Sequence, residues 1–382
     1  MTQNANDWTA WAAAVACDVL ARHADDVDRR GRWPAESVAA LAEAGLFGLT
    51  VPAAFGGAGE GPKTFAAVLS TLGVHCASSA MVYLMHVCAA QVFAAATDYA
   101  EREETLRAMA AGRHLSTLAF SEKGSRSHFW APVSQAVARD GGYRLTAEKS
   151  FVTSAGHVDS YVVSTRSAGA TEPTASVLYA VKRDAPGLTV GGSWDGLGLR
   201  GNASAPVRLQ GVTVHSCDRL SGEAEGLGVM LSVVLPWFQL GSAAVAVGIA
   251  RAATEGIRHH LRAAKLEHLG QSLADLPTLR ARLAQMQVTL DAQQAFVGHV
   301  AGRMENPGPD TLLAVLESKA AAAEAALQVT DRAMRVGGGA AFARRLSVER
   351  NFRDARALAV MAPTTDVLYE FIARSLLDMP LL

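Results

Sequence analysis

Charge of either sign is scarce in excess: 35 lysines and arginines stand against 36 aspartates and glutamates, a formal net charge of −1 at pH 7. Without a basic field there is no electrostatic footprint for nucleic acid, and without an acidic tail there is no solvating segment. Cysteine is sparse too. Cys17, Cys76, Cys88 and Cys217 lie far apart, with no Cys-x-x-Cys pair, so buried thiols in a reducing, cytoplasmic compartment are the expectation. No His/Cys cluster has metal-ligand spacing; His259 and His260 are adjacent rather than one turn apart. The opening MTQNANDWTAWAAAVACDVL has no basic residue ahead of its apolar stretch, which argues against a secretory signal. There is no Gly-x-Gly-x-x-Gly after a strand and no Gly-Lys-Ser/Thr loop, so any dinucleotide must be held in another way.

What is present is a chain of 382 residues, half of them hydrophobic and 19% charged, enough for two or three domains and a large core. From Gly226 to Ala250 no charged residue occurs, a stretch long enough to span a bilayer. Its glycines, Pro236 and Gln239, and its continuation into RAATEGIRHHLRAA, point instead to a buried helix of a large core.

The first 115 residues read as helices. Asp7 to Ala24 is periodic, and Trp33-Pro34 opens a second helix that stops at Gly45. The glycines and Pro52 of GLFGLTVPAAFGGAGEG mark an ordered loop, and Pro62 to Ala111 returns to helix. From about 118 to 218 the grammar is that of strands, with a hairpin signal at Asp140-Gly141-Gly142. After Asp218 periodic stretches at 236–265, 276–304 and 310–335, broken at Asn306–Pro309 and Gly337–Gly339, predict a helical bundle. The expected fold class is α+β and multi-domain: an N-terminal helical domain (1–117), a middle β-domain (118–218) and a C-terminal four-helix bundle (219–382). This order is not a βαβ repeat and disfavours a doubly wound nucleotide fold.

Five segments, in order, resemble the acyl-CoA dehydrogenase family. Leu41-Ala-Glu-Ala-Gly45-Leu46-Phe-Gly48 with Pro52 and Gly56-Gly57-Ala-Gly59 is similar to its Gly-Leu-x-Gly…Pro-x-x-x-Gly-Gly-x-Gly loop. Ala119-Phe-Ser-Glu122-Lys-Gly124 through Ser127 is similar to Thr-Glu-Pro-x-x-Gly-Ser-Asp, and Lys149-Ser-Phe151-Val-Thr153-Ser154 to Lys-x-Trp/Phe-Ile-Thr-Asn. Gly196-Leu-Gly-Leu-Arg200-Gly201 is similar to Met-Gly-x-Arg-Gly. Gly338-Gly339, followed by Val348-Glu349-Arg350-Asn-Phe-Arg353-Asp354-Ala355-Arg356, is similar to Gly-Gly-x-Gly-Tyr…Glu-Arg-x-Tyr-Arg-Asp-Ala-Arg.

The resemblance implies a homo-oligomer, dimer or tetramer, with FAD between the β-domain and the bundle and a small-molecule substrate such as an acyl-CoA. The flavin contacts it implies are Phe120, Ser121, Ser127, Phe151, Thr153, Ser154, Gly338, Gly339 and Thr364. Thr153 has a hydroxyl and an N–H for the polar edge of an isoalloxazine, and Phe151 an apolar wall; ordinary strand-edge residues are the plainer reading. Ser127 could donate to a phosphate.

Three departures from the family pattern stand out. Ala362, within Val360-Met361-Ala362-Pro363-Thr364-Thr365-Asp366, occupies the place of the base-bearing glutamate, and Phe238 with Gln239 occupies the alternative site of that base. The segment Leu266-Glu267-His268-Leu269-Gly270…Pro277 keeps only the glycine of Arg-x-x-Phe-Gly…Gln. Arg335 replaces a glutamine; it could neutralise a phosphate or be a surface arginine. Asp366, four residues after Ala362, is a candidate relocated base, though an aspartate there also suits a helix start; His128 is another titratable candidate. The backbone N–H at Ala362 would still polarise a thioester carbonyl. Trp237, Phe238 and Gln239 border the expected substrate cavity, where the two aromatics could equally fill core. Three functions remain open: an acyl-CoA dehydrogenase with its base absent or relocated, a flavin-dependent monooxygenase of the same fold, and a catalytically silent subunit of a mixed oligomer.

Overall fold

The computed structural model describes residues 7–125, 128–139 and 141–381. Asp7 caps helix α1 (Trp8–Val15), its carboxylate accepting from the Ala10 N–H at 3.0 Å. A π-helical turn (Ala16–Leu20) leads into α2 (Ala21–Arg30), so this helix runs past Ala24. Ala24, Val27 and Asp28 keep one face buried under a charged exterior, and Gly31, at φ +61°, ends it. α3 (Ala35–Glu43) begins after Pro34 and stops at the left-handed Gly45. The glycine-rich loop folds back on itself: a Cβ on Gly57 would lie 2.1 Å from the Val51 carbonyl oxygen. α4 (Pro62–His75) and α5 (Ala77–Ala95) are buried on nearly every face, and α6 (Arg102–Ala110) closes this layer.

The β-domain holds two sheets. In one, β1 (Ser116–Ala119) pairs parallel with β4 (Ser160–Arg166), which pairs antiparallel with β5 (Ser176–Lys182); β4 and β5 are almost wholly buried and accordingly read as continuous Val/Ser/Tyr runs. The other has the order β2 (Val137–Arg139), β3 (Gly142–Val152), β7 (Ala205–Val214), β6 (Leu188–Val190). Arg139 faces Gly142 across the expected hairpin, and Gly141 takes φ +81°; Asp140 lies outside the described residues. The β3–β7 register slips between Lys149 and Val152, a bulge that contains Phe151.

The C-terminal region starts with α7 (Gly226–Val229) and a π turn (Met230–Val234), then α8 (Leu235–Ala263). A two-strand link, β8 (Lys265–Leu266) with β9 (Gln271–Ser272), joins it to α9 (Pro277–Glu305). α10 (Thr311–Phe342), α11 (Val348–Val360) and α12 (Thr365–Leu376) complete the bundle. Ala77–Ala95 and Gly226–Ala263 are long and apolar enough to cross a membrane, yet most of each is buried inside the protein. Gly241 and Gly248 let α8 lie directly on α4 and α5: added Cβ atoms would meet Leu84 Cδ1 at 2.3 Å and the Ser70 carbonyl oxygen at 2.5 Å.

Two of the family-like motifs dock the domains on one another. Arg353 of α11 binds Asp28 of α2 through two bonds, at 2.8 and 2.6 Å, and also Glu349. The Leu199 N–H donates to buried Asp354 at 2.6 Å, while Arg200 donates to the Asp28 carbonyl. A Cβ on Gly198 would come within 2.3 Å of the Arg353 carbonyl oxygen. Burial pushes the Asp354 carboxyl up to about 6, the Leu199 N–H pulling the other way.

Candidate active site

On the β-domain side the site is built at the end of β3. Phe151 takes φ +57° in the bulge and Ser154 takes φ +59°, conformations that cost non-glycine residues on the order of 1–3 kcal/mol each. The bulge turns the Phe151 ring outward, 70% exposed, with its edge near Trp194. Thr153 is buried beside it, its hydroxyl 3.4 Å from that of Ser204. Trp33, from the N-terminal domain, donates to the Ser154 hydroxyl at 2.9 Å and stacks on His157. Phe120 is buried at the end of β1, and the Ser121 carbonyl accepts from the Ser150 N–H, which joins this loop to β3. Ser127 lies outside the described residues. His128 stacks on Trp130 at 5.0 Å, and Trp130 packs on Phe371 of α12, carrying this loop onto the last helix.

Beneath the loop lies a buried ion pair. Lys149, fully buried, binds Glu122 and the Ser164 carbonyl; the other Glu122 oxygen accepts from the N–H groups of Val133 and Ser134 at 2.8 and 2.7 Å. Burial works to raise the Glu122 carboxyl, but the Lys149 ammonium and the Ser134 bonds outweigh it and hold it below the ordinary glutamate range.

On the bundle side, Ala362 stands half-buried in the turn between α11 and α12. Lys319 of α10, 1% exposed, reaches this turn and donates to the Pro363 carbonyl at 2.9 Å and the Met361 carbonyl at 3.4 Å. Burial pushes its ammonium down to about 7. Thr364 caps α12, its hydroxyl accepting from the Val367 N–H at 3.3 Å. Asp366 is exposed in the first turn of that helix, where a carboxylate suits the positive end of the helix dipole.

Gln239 belongs to the same level of the bundle. The links from α8 to α9 and from α9 to α10 join neighbouring helix ends, and farther along α8 meets α9 at Arg251–Gln294 and α9 meets α10 at Thr289–Arg332, so each pair is antiparallel and α8 and α10 run parallel. Ile257 of α8 faces Gly337 of α10, where a Cβ would lie 3.4 Å from its Cδ1. Gln239 and Lys319 each stand about five helical turns earlier on those same faces. The Gln239 side chain is fully buried, and both ends of its amide lack a partner. A buried amide with no bonds costs about 1–3 kcal/mol; a ligand there would satisfy it. Trp237 turns the other way, onto Phe65 at 5.0 Å, and Phe238 packs partly buried against the core.

Arg335, Gly338 and Gly339 do not join this cluster. They follow Lys319 along α10 by some 24–30 Å at the rise of a helix. Arg335 is exposed and paired with Asp331 at 2.9 Å, and Gly338 breaks the helix at φ 51°, ψ −136°, with open space around it. The cavity of about 350 Å³ at Asp28, Asp195, Arg200 and Arg353 includes none of the expected site residues; it belongs to the domain joint. Sequence reasoning missed Lys319, Trp33 and the Trp130–Phe371 contact. A helix lysine and scattered aromatics carry no local signal, since their partners are distant in the chain.

The residues present fit a flavin: a flat apolar wall exposed on a strained bulge, a Thr–Ser hydroxyl pair beside it and an unpartnered buried amide in the bundle. The α–β–α architecture with this site defines a flavin-type oxidoreductase fold. Three family models match in order: acyl-CoA dehydrogenase N-terminal domain over residues 2–113, middle domain over 117–212 and C-terminal domain over 224–377. The chain belongs to the acyl-CoA dehydrogenase family. It is 27% identical over 358 residues to the mitochondrial short-chain specific acyl-CoA dehydrogenase of Bos taurus, covering 93% of this chain and 85% of that one. It is also 27% identical to the 3-(aryl)acrylate reductase of Clostridium sporogenes, covering 93% of each. The butyryl-CoA dehydrogenase of Megasphaera elsdenii superposes with a TM-score of 0.91 at 22% identity, covering 99% of this chain and all of that one.

Proposed function

We propose that this flavoprotein oxidoreductase uses FAD and acts on the Cα–Cβ bond of an acyl-CoA thioester, in the cytoplasm and as a homo-oligomer. The observation that carries the reading is the outward Phe151 ring on its bulge, next to Thr153 and Ser154. When bound, FAD supplies the two-electron chemistry at the β-carbon. Phe151 gives the ring system an apolar wall, and Thr153 offers a hydroxyl and N–H to its polar edge. By the family resemblance Arg335, standing in for the lost arginine of that pattern, would reach the phosphates of FAD bound in a second copy, which favours an oligomer. Cys76 and Cys88 are buried, whereas Cys17 and Cys217 are exposed, against the expectation of four buried thiols; all four being free suits a reducing compartment.

At the substrate carbonyl the chain offers the Ala362 N–H, and no side-chain carboxylate at that position. Polarisation of the thioester is therefore kept while α-proton removal is left weak, a loss of about 10²–10⁴-fold for a missing general base. Asp366, exposed in α12, would serve as base only through solvent; Asp366→Asn leaving turnover unchanged eliminates it.

The test is a visible spectrum of the purified protein, followed by anaerobic titration with a panel of acyl-CoAs. Bleaching of a flavin band by one of them supports the proposal. A colourless protein that takes up reduced flavin and consumes oxygen would be a monooxygenase of this fold, and one that ignores flavin a silent subunit.

A further inference from the structure

We infer that Lys319 is a positioning residue for the substrate carbonyl: by gripping the carbonyls on either side of Ala362 it aims the Ala362 N–H into the site. The inference rests on the flavin-dependent thioester reading above and adds to it the group that sets the carbonyl contact.

The argument begins with a peptide plane. In a trans peptide the C=O and N–H point in opposite directions. The Met361 carbonyl is directed at Lys319 on α10, so the N–H of the same peptide unit, that of Ala362, is directed away from α10. Among the described residues this N–H has no backbone acceptor. The Pro363 carbonyl, held at 2.9 Å by the same ammonium, fixes the far side of the turn. Two anchors from one side chain leave the intervening residue little freedom to rotate.

The ammonium also acts through the peptide. A cation on the carbonyl oxygen polarises the amide and makes its N–H a stronger donor, an effect enlarged where water is excluded. Lys319 is buried, and no carboxylate lies within ion-pair distance of it among the described residues. Below about pH 7 it carries its proton, and that charge is directed at the two carbonyls. The unpartnered Gln239 amide at the same level of the bundle marks the place where a bound group would complete the polar contacts.

A lysine of α10 set against the end of α11 could instead be only a cap for the last carbonyls of that helix. The two roles separate by experiment. Cap loss changes stability and leaves a bound carbonyl untouched; loss of positioning changes the bound carbonyl, whatever it does to stability. The measurement, made at about pH 6 so that Lys319 is protonated, is the thioester C=O stretch of carbonyl-labelled cinnamoyl-CoA bound to the flavin-loaded protein, compared among wild type, Lys319→Met and Lys319→Arg, with flavin spectra and melting curves in parallel. The wild type should lower the stretch. Lys319→Met should retain flavin and probe yet lose most of that lowering, with kcat reduced about 10²-fold and KM little changed, and Lys319→Arg should restore part of both. A Met variant with the wild-type stretch overturns the inference and leaves the flavin reading intact. A wild type that binds flavin and probe without lowering the stretch overturns it as well. A wild type that binds no flavin removes the thioester reading and the inference together. If Lys319→Met does not fold, Lys319→Gln, which keeps a donor without the charge, carries the same comparison: an intermediate stretch supports the role, an unchanged one overturns it.

Discussion

At the scale of single residues, the site combines an absent acid with a buried base. Ala362 leaves its backbone N–H in place and takes away the side chain that would collect a proton. Ala362→Glu should raise dehydrogenation of an acyl-CoA by about 10²–10⁴-fold, read as the rate of flavin bleaching under anaerobic conditions. An unchanged rate would mean that the turn does not present residue 362 to the substrate. Lys319 makes a second, thermodynamic prediction. Its folded-state pKa, about 7, lies below the ordinary lysine value of 10.5. Between those values the unfolded chain holds a proton that the folded protein lacks, so stability rises with pH across that window. The cost of keeping Lys319 charged is felt below about pH 7 and is on the order of a few kcal/mol. Urea unfolding at pH 7 and pH 9 should show this rise in the wild type and a flatter profile in Lys319→Met.

Among the elements, the strand β3 shows how a structural pair supports a site. Lys149 and Glu122 bind each other out of water near the end of β3, two residues before Phe151 and four before Thr153. Removing one partner of a buried pair leaves an uncompensated charge, so Glu122→Gln should destabilise by about 3–5 kcal/mol, seen as a lower urea midpoint. Because the Glu122 carboxyl is held below its unfolded value, its contribution is present above pH 4.5 and is lost as pH falls through the folded value. The same strand illustrates the reach of pattern reading. The alternation in GGYRLTAEKSFV and the Gly141-Gly142 turn identify strand and hairpin from local chemistry. The bulge that turns Phe151 outward depends on the register with β7, whose residues lie far along the chain. Helix α2 repeats the lesson. Its surface charges hide a buried stripe at Ala24, Val27 and Asp28, and the helix runs to Arg30 because other elements cover that stripe.

For the whole molecule, the arrangement of α10 bears on assembly. One end of this helix holds the Ala362 turn through Lys319; the other exposes Arg335, the Gly338 break and Phe342, which is 85% exposed. If a second copy brings that end to the nucleotide of its neighbour's FAD, Arg335→Ala should weaken FAD binding at least several-fold and leave the melting curve of the flavin-free protein unchanged, since an exposed ion pair contributes only about 0–1 kcal/mol. Equal FAD affinity in both proteins would count against that contact. The domain joint is also a whole-molecule property: Arg353 with Asp28, and Asp354 with the Leu199 N–H, turn two sequence motifs into one clamp across all three regions.

The order of helix, strand and helix, the turns, the caps and the family-like motifs are set within short stretches of chain, because periodicity, φ preference and capping act over a few residues; the amino-acid sequence determined these by itself. Which of those residues meet was decided only by tertiary structure. Lys319 opposite the Ala362 turn, Trp33 on Ser154 and Trp130 on Phe371 are contacts between parts far apart in the chain, brought about by burial of the apolar faces that carry them. An isolated lysine on a helix looks the same in sequence whether it meets water or a carbonyl. Only the packing of α8, α10 and α11 around it makes that choice.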